Sequence, residues 1–419
     1  MRYSTVSSLA LALALSTAPL ALAQTQPAPA PAEEVQPAQP ETGAAPTPST
    51  ETGQTATEQP ADPNMAAAPT GDAMANIDED MKRVIDKHAE LGAKPLATLT
   101  VEEARAGPTI KDAVMALMAE TTASTTPDSV TTEDMMIPGA AGDIPARIYT
   151  PAVTGDGPHP VILFFHGGGW VIANIDVYDA SARALAEKTG AIVVSSSYRQ
   201  APENPFPAAH DDAVAAYKWV VENSGEFNGD ANRVAVAGES AGGNLAAHVA
   251  IQAREQQLTP PVHQLLIYPV AGTDMTTPSY QENAMAKPLD KAGMEWFVDK
   301  VITDPAQLQD PRLDLVGMAK VEGVAPATVI TAQIDPLRSE GEAYAAKLTS
   351  AGVDTQHRNW EGSTHEFFGT AAVVADAREA QDFAAERLMA AFDMDAAAQP
   401  TAKPAMDGAE PAAEGETAQ

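Results

Sequence analysis

Residues 233–244 read RVAVAGESAGGN, a stretch that joins a strand-like run to a helix-like run through closely spaced glycines. The alternating Val and Ala residues before Gly238 are typical of a buried strand, and the small residues after Ser240 continue into a helical pattern. A Gly-x-Ser-x-Gly motif between a strand and a helix predicts a sharp turn that presents the serine above a sheet. A plain glycine turn that feeds a helix is the alternative, but the flanking strand and helix favour Ser240 as a nucleophile.

Strand-like apolar runs recur on both sides of this stretch and alternate with helix-like segments. The sequence predicts strands at 161–165, 191–197, 233–238, 263–270 and 327–333, and helices near 177–188, 208–223, 241–257 and 337–351. Apolar strands that alternate with helices are typical of a mostly parallel sheet with helices on both faces. Alternating residues around 136–137 and 144–149 predict an antiparallel pair at one edge of that sheet. The predicted fold class is therefore α/β.

Two segments outside this alternation predict helical additions to the sheet. Apolar residues recur at helical spacing within 76–119, which predicts two or three helices, and TVEE at 100–103 resembles a capped helix start. Residues 273–310 carry Trp296 and Phe297 in a helix-like run and show no strand pattern. We expect this insert to form a lid or cap element.

The N-terminal residues predict an export signal. Residues 1–23 combine a basic Arg2, an apolar run and a small-x-small site before Gln24, which is the pattern of a cleaved signal peptide. A membrane anchor is the alternative, but Pro19 interrupts an apolar run that is shorter than the ~20 residues needed to span a bilayer. We therefore expect an exported protein, periplasmic or extracellular, with no stable membrane span after cleavage.

Two further segments differ in composition from the middle of the chain. Residues 24–75 are rich in Pro, Ala, Thr and Glu, and residues 396–419 have a similar composition with four acidic residues. Such segments bury too little apolar surface to offset the entropy lost on ordering. The sequence predicts a disordered linker at 24–75, one folded domain at 76–395 and a disordered acidic tail at 396–419.

Charge and cysteine content exclude several classes of protein. The chain has 25 Lys and Arg against 57 Asp and Glu, a formal charge of −32. The segments outside 76–395 hold only eleven of the acidic residues and two of the basic ones, so the predicted domain itself keeps −23. Such a field repels phosphate backbones and anionic membranes, and nucleic acid is not an expected partner. The absence of cysteine excludes disulfides, thiolate metal sites and cysteine nucleophiles.

A second motif, HGGGW at 166–170, directly follows the apolar strand at 161–165. Consecutive glycines leave bare backbone N–H groups that can approach a substrate and stabilise a developing oxyanion. We expect an oxyanion hole formed by Gly168, Gly169 and Ala241, with Gly167 as a further candidate. A phosphate-binding loop is the alternative, but no lysine follows and Gly-x-Gly-x-x-Gly is absent.

A nucleophilic serine on this fold needs an acid and then a base, in that order along the chain. Of the histidines after Ser240, only His365 lies on a predicted loop, EGSTH at 361–365, beyond the last strand. Asp335 follows the strand at 327–333 and precedes a proline that ends it. We predict a triad of Ser240, His365 and Asp335, with Glu361 and Glu366 as fallback acids.

Five motifs together resemble the hormone-sensitive-lipase-like family of α/β-hydrolases, a group that includes bacterial esterases. They are HGGGW (166–170), YRQAPE (198–203), GESAGGN (238–244), DPLR (335–338) and HEF (365–367), and the likeness extends from about Ile77 to Leu388. The resemblance implies an α/β-hydrolase fold with an N-terminal helical cap at about 76–130. It also implies hydrolysis of carboxylic esters with short to medium acyl chains, without a metal or an organic cofactor.

Three positions depart from the family pattern. Glu239 stands where the family has Asp or Thr, Ser339 replaces a common Asp, and Glu366 stands where Gly often follows the catalytic histidine. We expect the Glu366 carboxylate to raise the pKa of His365.

Several other polar and aromatic residues have competing interpretations. We expect His166 to hold its loop rather than to act in catalysis. The run HDD at 210–212 could suggest a metal site, but acids in the first turn of a helix explain it better. Trp170 and Trp296 are expected to pack the core and the pocket walls, where they could touch an acyl group.

The resulting prediction is an exported serine carboxylesterase that acts on a small-molecule ester. An amidase, lactonase or deformylase with the same triad, and a non-catalytic binding module of the same fold, are the alternatives. The sequence leaves open the natural substrate and the oligomeric state, for which a homodimer is one option.

Overall fold

An eight-stranded sheet with helices on both faces forms the centre of the chain in a computed structural model, which describes residues 73–120, 129–152 and 157–393. The strands are β1 Val130–Gly139, β2 Gly142–Pro151, β3 His159–Phe165, β4 Ile192–Ser196, β5 Gly229–Glu239, β6 Gln264–Ile267, β7 Ala327–Ile334 and β8 Thr355–Thr364. The predicted signal peptide at 1–23, nearly all of the predicted linker at 24–75 and the predicted tail at 396–419 lie outside the described residues.

The sheet is mostly parallel and has the antiparallel edge that the sequence predicts. Its strand order is β1-β2-β4-β3-β5-β6-β7-β8. β1 pairs with β2 and β2 with β4 in antiparallel register, whereas every pair from β4 onwards is parallel. The carboxyl ends of the parallel strands therefore meet at one edge of the sheet, where residues that follow different strands can meet.

Alternation along the central strands divides the core into two layers. In β3, Val161, Leu163 and Phe165 pack into one apolar cluster, and Ile162 and Phe164 pack into the cluster on the opposite face. Successive side chains of a strand point to opposite faces, so a strand that is apolar throughout must be covered on both sides. All seven residues of β3 are buried.

Ten α-helices cover the sheet and its carboxyl edge within the described residues. They are α1 Glu79–Glu90, α2 Val101–Ala106, α3 Ile110–Glu120, α4 Asp179–Thr189, α5 Ala208–Asn223, α6 Ala241–Glu255, α7 Pro278–Glu282, α8 Lys291–Val301, α9 Arg338–Ser350 and α10 Ala375–Ala391. The predicted start of α2 is confirmed, because Thr100 and Glu103 form a reciprocal capping box. The insert predicted at 273–310 contains α7 and α8 and no strand.

Two strand boundaries differ from the prediction at the carboxyl edge of the sheet. β6 ends at Ile267, because the next residue, Tyr268, turns the chain with φ +35° and Pro269 follows. β8 continues to Thr364, so residues 361–364, predicted as loop, complete a strand. His365 is the first residue after that strand, which still places it at the edge where the parallel strands end.

Candidate active site

Ser240 lies in a tight turn between β5 and α6. Its backbone has φ +55° and ψ −117°, and its N–H donates to the carbonyl of Ile267 at 2.9 Å. A Cβ on Gly242 would lie 2.0 Å from the carbonyl oxygen of Phe165, so the helix can approach β3 this closely only with glycine at that position. The turn has the local geometry of the predicted nucleophile elbow, with a non-glycine residue held in the left-handed region.

The three residues of the predicted triad are in hydrogen-bond contact. His365 Nε2 is 3.0 Å from Ser240 Oγ, and His365 Nδ1 is 2.7 Å from Asp335 Oδ2. Asp335 Oδ1 also accepts the N–H of Leu337 at 2.8 Å, which fixes the carboxylate. All three side chains are buried. In this chain of contacts the histidine can take the serine proton while the carboxylate holds the other ring nitrogen.

The environment of His365 favours its protonated form. Burial lowers the pKa of His365, but the Asp335 carboxylate, and then Glu366 and Glu239, outweigh burial and leave the pKa above its ordinary value. The expectation that Glu366 contributes in this direction is confirmed. Neither fallback acid contacts the ring, because Glu361 is exposed and Glu366 bonds to Tyr178 instead.

The glycine loop after β3 divides into two parts. Gly168 and Gly169 line the cavity that contains Ser240 and His365, and their N–H groups donate to no acceptor in the described chain. Ala241 is buried directly behind the serine at the start of α6. Gly167 does not line the cavity; a Cβ there would lie 2.3 Å from the hydroxyl of Tyr178. Gly168 and Gly169 are therefore better placed than Gly167 to meet an oxyanion, and Ala241 stays a prediction from its position after the serine.

His166 holds this loop, as the sequence predicts. Its Nδ1 is 2.7 Å from the carbonyl oxygen of Gly167, and its ring stacks on Tyr198 at 4.4 Å between centroids. The Tyr198 hydroxyl donates to the carbonyls of both His166 and Gly167. Burial lowers the pKa of His166 to about 4, so the ring is neutral near pH 7.

One acid of the HDD segment lies where the sequence predicts, since Asp211 is in the first turn of α5. His210 Nε2 contacts Asn244 Oδ1 at 2.9 Å, and Asp212 is fully buried and accepts from both Nε and Nη2 of Arg199. Asp212 therefore also belongs to an ion pair, which the sequence did not indicate, with a partly exposed arginine. Over the described residues, no three histidine or acidic side chains are placed to share a metal ion.

A cavity of about 680 Å³ opens onto Ser240 and His365. Residues 92–110 form part of its wall, and about half of its apolar lining comes from 270–313. Trp170 lines this cavity, but Trp296 does not. The Trp296 indole instead donates to the carbonyl of Leu99 at 3.0 Å and so joins α8 to the segment before α2.

A buried polar network beside the triad was not anticipated from the sequence. Tyr268 packs against the His365 ring at 4.6 Å between centroids and donates its hydroxyl to Glu239, while Tyr178 donates to Glu366. Burial and the nearby Glu366 charge raise the pKa of Glu239 to about 8. The two glutamates stood out only as departures from the family pattern, and no spacing in the sequence indicates their tyrosine partners.

A parallel sheet that carries a serine, a histidine and an acid at its carboxyl edge is the arrangement of the α/β-hydrolases. A family model described as alpha/beta hydrolase fold matches residues 162–369. The carboxylesterase NlhH of Mycobacterium tuberculosis is 45% identical over 243 residues, which cover 57% of this chain and 75% of that protein. The ethyl acetate hydrolase of Pseudomonas putida is 34% identical over 291 residues, 68% of this chain and 88% of that protein.

Solved structures agree with these relatives. The hyperthermophilic esterase of Pyrobaculum calidifontis superposes with a TM-score of 0.68 at 34% identity, covering 75% of this chain and 99% of that one. The chain belongs to the hormone-sensitive-lipase-like family of α/β-hydrolases. In the ranges that the structure describes, none of the helices combines the length and the apolar character needed to cross a bilayer.

Proposed function

We propose that this chain hydrolyses short- to medium-chain carboxylic esters through an acyl-enzyme formed on Ser240. The coarser statement, that it is a carboxylic ester hydrolase, follows from its family and from relatives named as carboxylesterases and esterases. The observation that carries the finer proposal is the continuous contact from Ser240 Oγ through both ring nitrogens of His365 to Asp335. No other described histidine contacts a serine hydroxyl and a carboxylate in this way.

The proposed reaction begins when Ser240 Oγ attacks the ester carbonyl and His365 Nε2 takes its proton. The N–H groups of Gly168, Gly169 and Ala241 stabilise the oxyanion; losing one such donor typically costs about 2.7–4 kcal/mol. His365 then protonates the departing alkoxide, which leaves an acyl group on Ser240. A water molecule, deprotonated by His365, attacks this acyl-enzyme and releases the carboxylic acid. Asp335 orients His365 and stabilises its charged form throughout.

The size and lining of the cavity support small to medium substrates. A volume of about 680 Å³ lies within the range of small-molecule sites, and side chains such as Leu289, Met294 and Val298 make one part of its wall apolar. Leu289 and Met294 are buried, so this part of the wall favours an aliphatic acyl chain over a polar one.

Substitution of the nucleophile tests this proposal. Ser240→Ala should lower kcat on p-nitrophenyl butyrate by about 10⁴–10⁶-fold, because the attacking atom is lost while the fold is retained. A fluorophosphonate probe should label the wild-type protein at Ser240 and leave the variant unlabelled. Wild-type turnover by the folded variant would overturn the proposal. Faster hydrolysis of matched amides, lactones or formyl esters than of butyrate esters would instead reassign the substrate class.

We also propose that the protein is exported, on the strength of the pattern at residues 1–23. Expression of the full chain in a Gram-negative host, followed by cell fractionation and N-terminal sequencing, tests this. A mature protein that begins at Gln24 outside the cytoplasm is expected. Uncleaved protein that stays in the cytoplasm would contradict the proposal.

A further inference from the structure

The two ends of the glycine loop face different surroundings. A Cβ on Gly169 would lie 2.2 Å from the ring of Phe297, whereas a Cβ on Gly167 would lie 2.3 Å from the Tyr178 hydroxyl. Phe297 belongs to α8 in the insert, and Tyr178 directly precedes α4. The reacting carbonyl must sit near this loop, so an aromatic ring bounds one side of its surroundings and a phenol hydroxyl bounds the other.

The cavity lining is partly divided in the same way. We call apolar side the insert residues Met294, Phe297 and Val301, which line the cavity together. We call polar side the residues Thr109, Asn174, Tyr178 and Glu366, which line it beside apolar neighbours such as Ile110 and Val177. Tyr178 and Glu366 are in direct contact, since the tyrosine hydroxyl donates to the carboxylate. Lys111, two residues after Thr109, donates to the carbonyl of Asp176, two residues after Asn174, and so joins the two segments that carry the other two polar residues.

The charged side chains that line the cavity differ in whether an oppositely charged side chain lies beside them. Lys94 and Glu103 line the cavity, and they lie close enough that Lys94 contributes to lowering the pKa of Glu103. Arg105 forms a bidentate pair with Glu203, at 2.7 and 2.8 Å. Apart from the two histidines, Glu366 is therefore the one charged side chain of the lining that has no Lys or Arg beside it among the described residues.

The Glu366 carboxylate keeps one oxygen for a ligand. Oε1 accepts the Tyr178 hydroxyl, and Oε2 accepts no hydrogen bond from the described chain. Glu366 is only partly buried, with φ +69°, and its negative charge helps to raise the pKa of both Tyr178 and His365. A partly desolvated carboxylate attracts a cation more strongly than a carboxylate in bulk water does.

Glu366 lines the same cavity as Ser240 and His365. His365 Nε2 hands its proton to the leaving oxygen, so that oxygen must approach the histidine, and Glu366 is the next residue along the chain. We propose that Glu366 is a specificity-determining residue that favours esters whose alcohol half carries an ammonium group. This inference rests on the proposed ester hydrolysis and assigns the acyl chain to the apolar side formed by the insert.

A pair of substrates of equal shape tests the proposal. At neutral pH, 2-(dimethylamino)ethyl butyrate is a cation, and 3-methylbutyl butyrate is its neutral isostere. The ratio of kcat/KM for the charged ester to that for the neutral ester should fall about tenfold, equivalent to about 1.4 kcal/mol, between the wild type and Glu366→Gln. Any effect of the substitution on His365 acts on both esters and largely cancels in this ratio.

Glu361→Gln is the matched control, because it removes a carboxylate five residues earlier that is exposed and outside the cavity lining. The ratio for this variant should stay within about twofold of the wild type. An unchanged ratio in folded Glu366→Gln, or an equal fall in both variants, would overturn the proposal.

A measurement on the wild type covers the case in which Glu366→Gln does not fold. The product 2-(dimethylamino)ethanol should inhibit competitively with an inhibition constant about tenfold below that of 3-methylbutanol. Equal inhibition would overturn the assignment. Failure of the ester hydrolysis itself has a different signature, since neither the wild type nor any variant would then turn over the neutral ester.

Discussion

The carboxyl edge of the sheet and the helical cover above it are built in different ways. At the edge, five non-glycine residues have positive φ, namely Trp170, Ala173, Ser240, Tyr268 and Glu366. Glu239 and Glu340 are buried carboxyl groups with raised pKa. The described helices of 79–120 and 278–301 contain no non-glycine residue with positive φ. Unfavourable backbone conformations and buried ionisable groups are thus concentrated around the proposed triad, whereas the cover depends on packing.

The cover is held by ordinary helix contacts. Thr100 caps α2, Asp290 accepts from the N–H of Gly293 at the start of α8, and Trp296 joins the two segments through the carbonyl of Leu99. We therefore expect the sheet edge to set the reaction rate and the cover to set the choice of acyl chain, while Glu366 at the edge selects the alcohol half. Substitutions at the edge should therefore change kcat or the pH dependence of stability, and substitutions in the cover should change which chain length is preferred.

Asp335→Asn gives the largest expected effect on this comparison. The amide has the size of the carboxyl group, but it carries no charge to stabilise the imidazolium and does not hold His365 in the required tautomer. The value of kcat should therefore fall about 10⁴-fold, and the melting temperature should change little. Steady-state kinetics with p-nitrophenyl butyrate and thermal melts provide the measurement.

Asp290→Asn is the control in the cover, since Asn caps a helix about as well as Asp. This variant should retain wild-type kcat. A comparable loss of kcat in Asp335→Asn and Asp290→Asn would contradict the expectation that the reaction rate depends on the sheet edge and not on the cover.

Glu239→Gln is expected to make the protein more stable at alkaline pH. The unfolded chain loses this proton near the ordinary pKa of 4.5, whereas the folded protein keeps it until about pH 8. Folding therefore becomes less favourable as pH rises through this window, and the amide, which still accepts from Tyr268, removes that cost. The gain in unfolding free energy should be about 2–4 kcal/mol above pH 8 and vanish below the ordinary pKa.

Urea unfolding at a series of pH values measures this gain. Glu295→Gln, an exposed carboxyl group on α8, should show no such pH dependence. A stability difference for Glu239→Gln that did not change with pH would contradict a buried, protonated carboxyl group beside the triad.

The triad at the sheet edge could be predicted from the sequence, but the side-chain contacts around it could not. The nucleophile elbow is encoded in a few consecutive residues and could be recognised directly. The order of triad residues along the chain then limits the candidate acids and histidines, and Asp335 and His365 fit best. Tyr178 and Tyr268 contact glutamates that are far from them in the chain. The spacing of residues along the sequence does not indicate such contacts. The extension of β8 was missed because EGST at 361–364 has little strand propensity, and its pairing with β7 is what makes it a strand.

Phe297→Ala tests the cover's side of the comparison with the smallest expected effect. Removing the ring opens the apolar side of the cavity beside Gly169, so the preferred p-nitrophenyl acyl chain should lengthen by several carbons. The ratio of kcat/KM for decanoate to that for butyrate should rise about tenfold, or about 1.4 kcal/mol. Truncation of a buried Phe is expected to destabilise the protein, but a smaller amount of folded enzyme affects both esters equally and cancels in the ratio.

Trp296→Phe is the control, because Trp296 is the neighbouring aromatic residue and does not line the cavity. This variant should leave the ratio unchanged while weakening the contact with Leu99. Butyrate esters of a series of alcohols measure the preference for the alcohol chain. If Phe297→Ala changed that preference and not the acyl preference, the orientation assigned to the substrate would be reversed. Phe297 would then border the leaving group, and Glu366 would border the acyl chain.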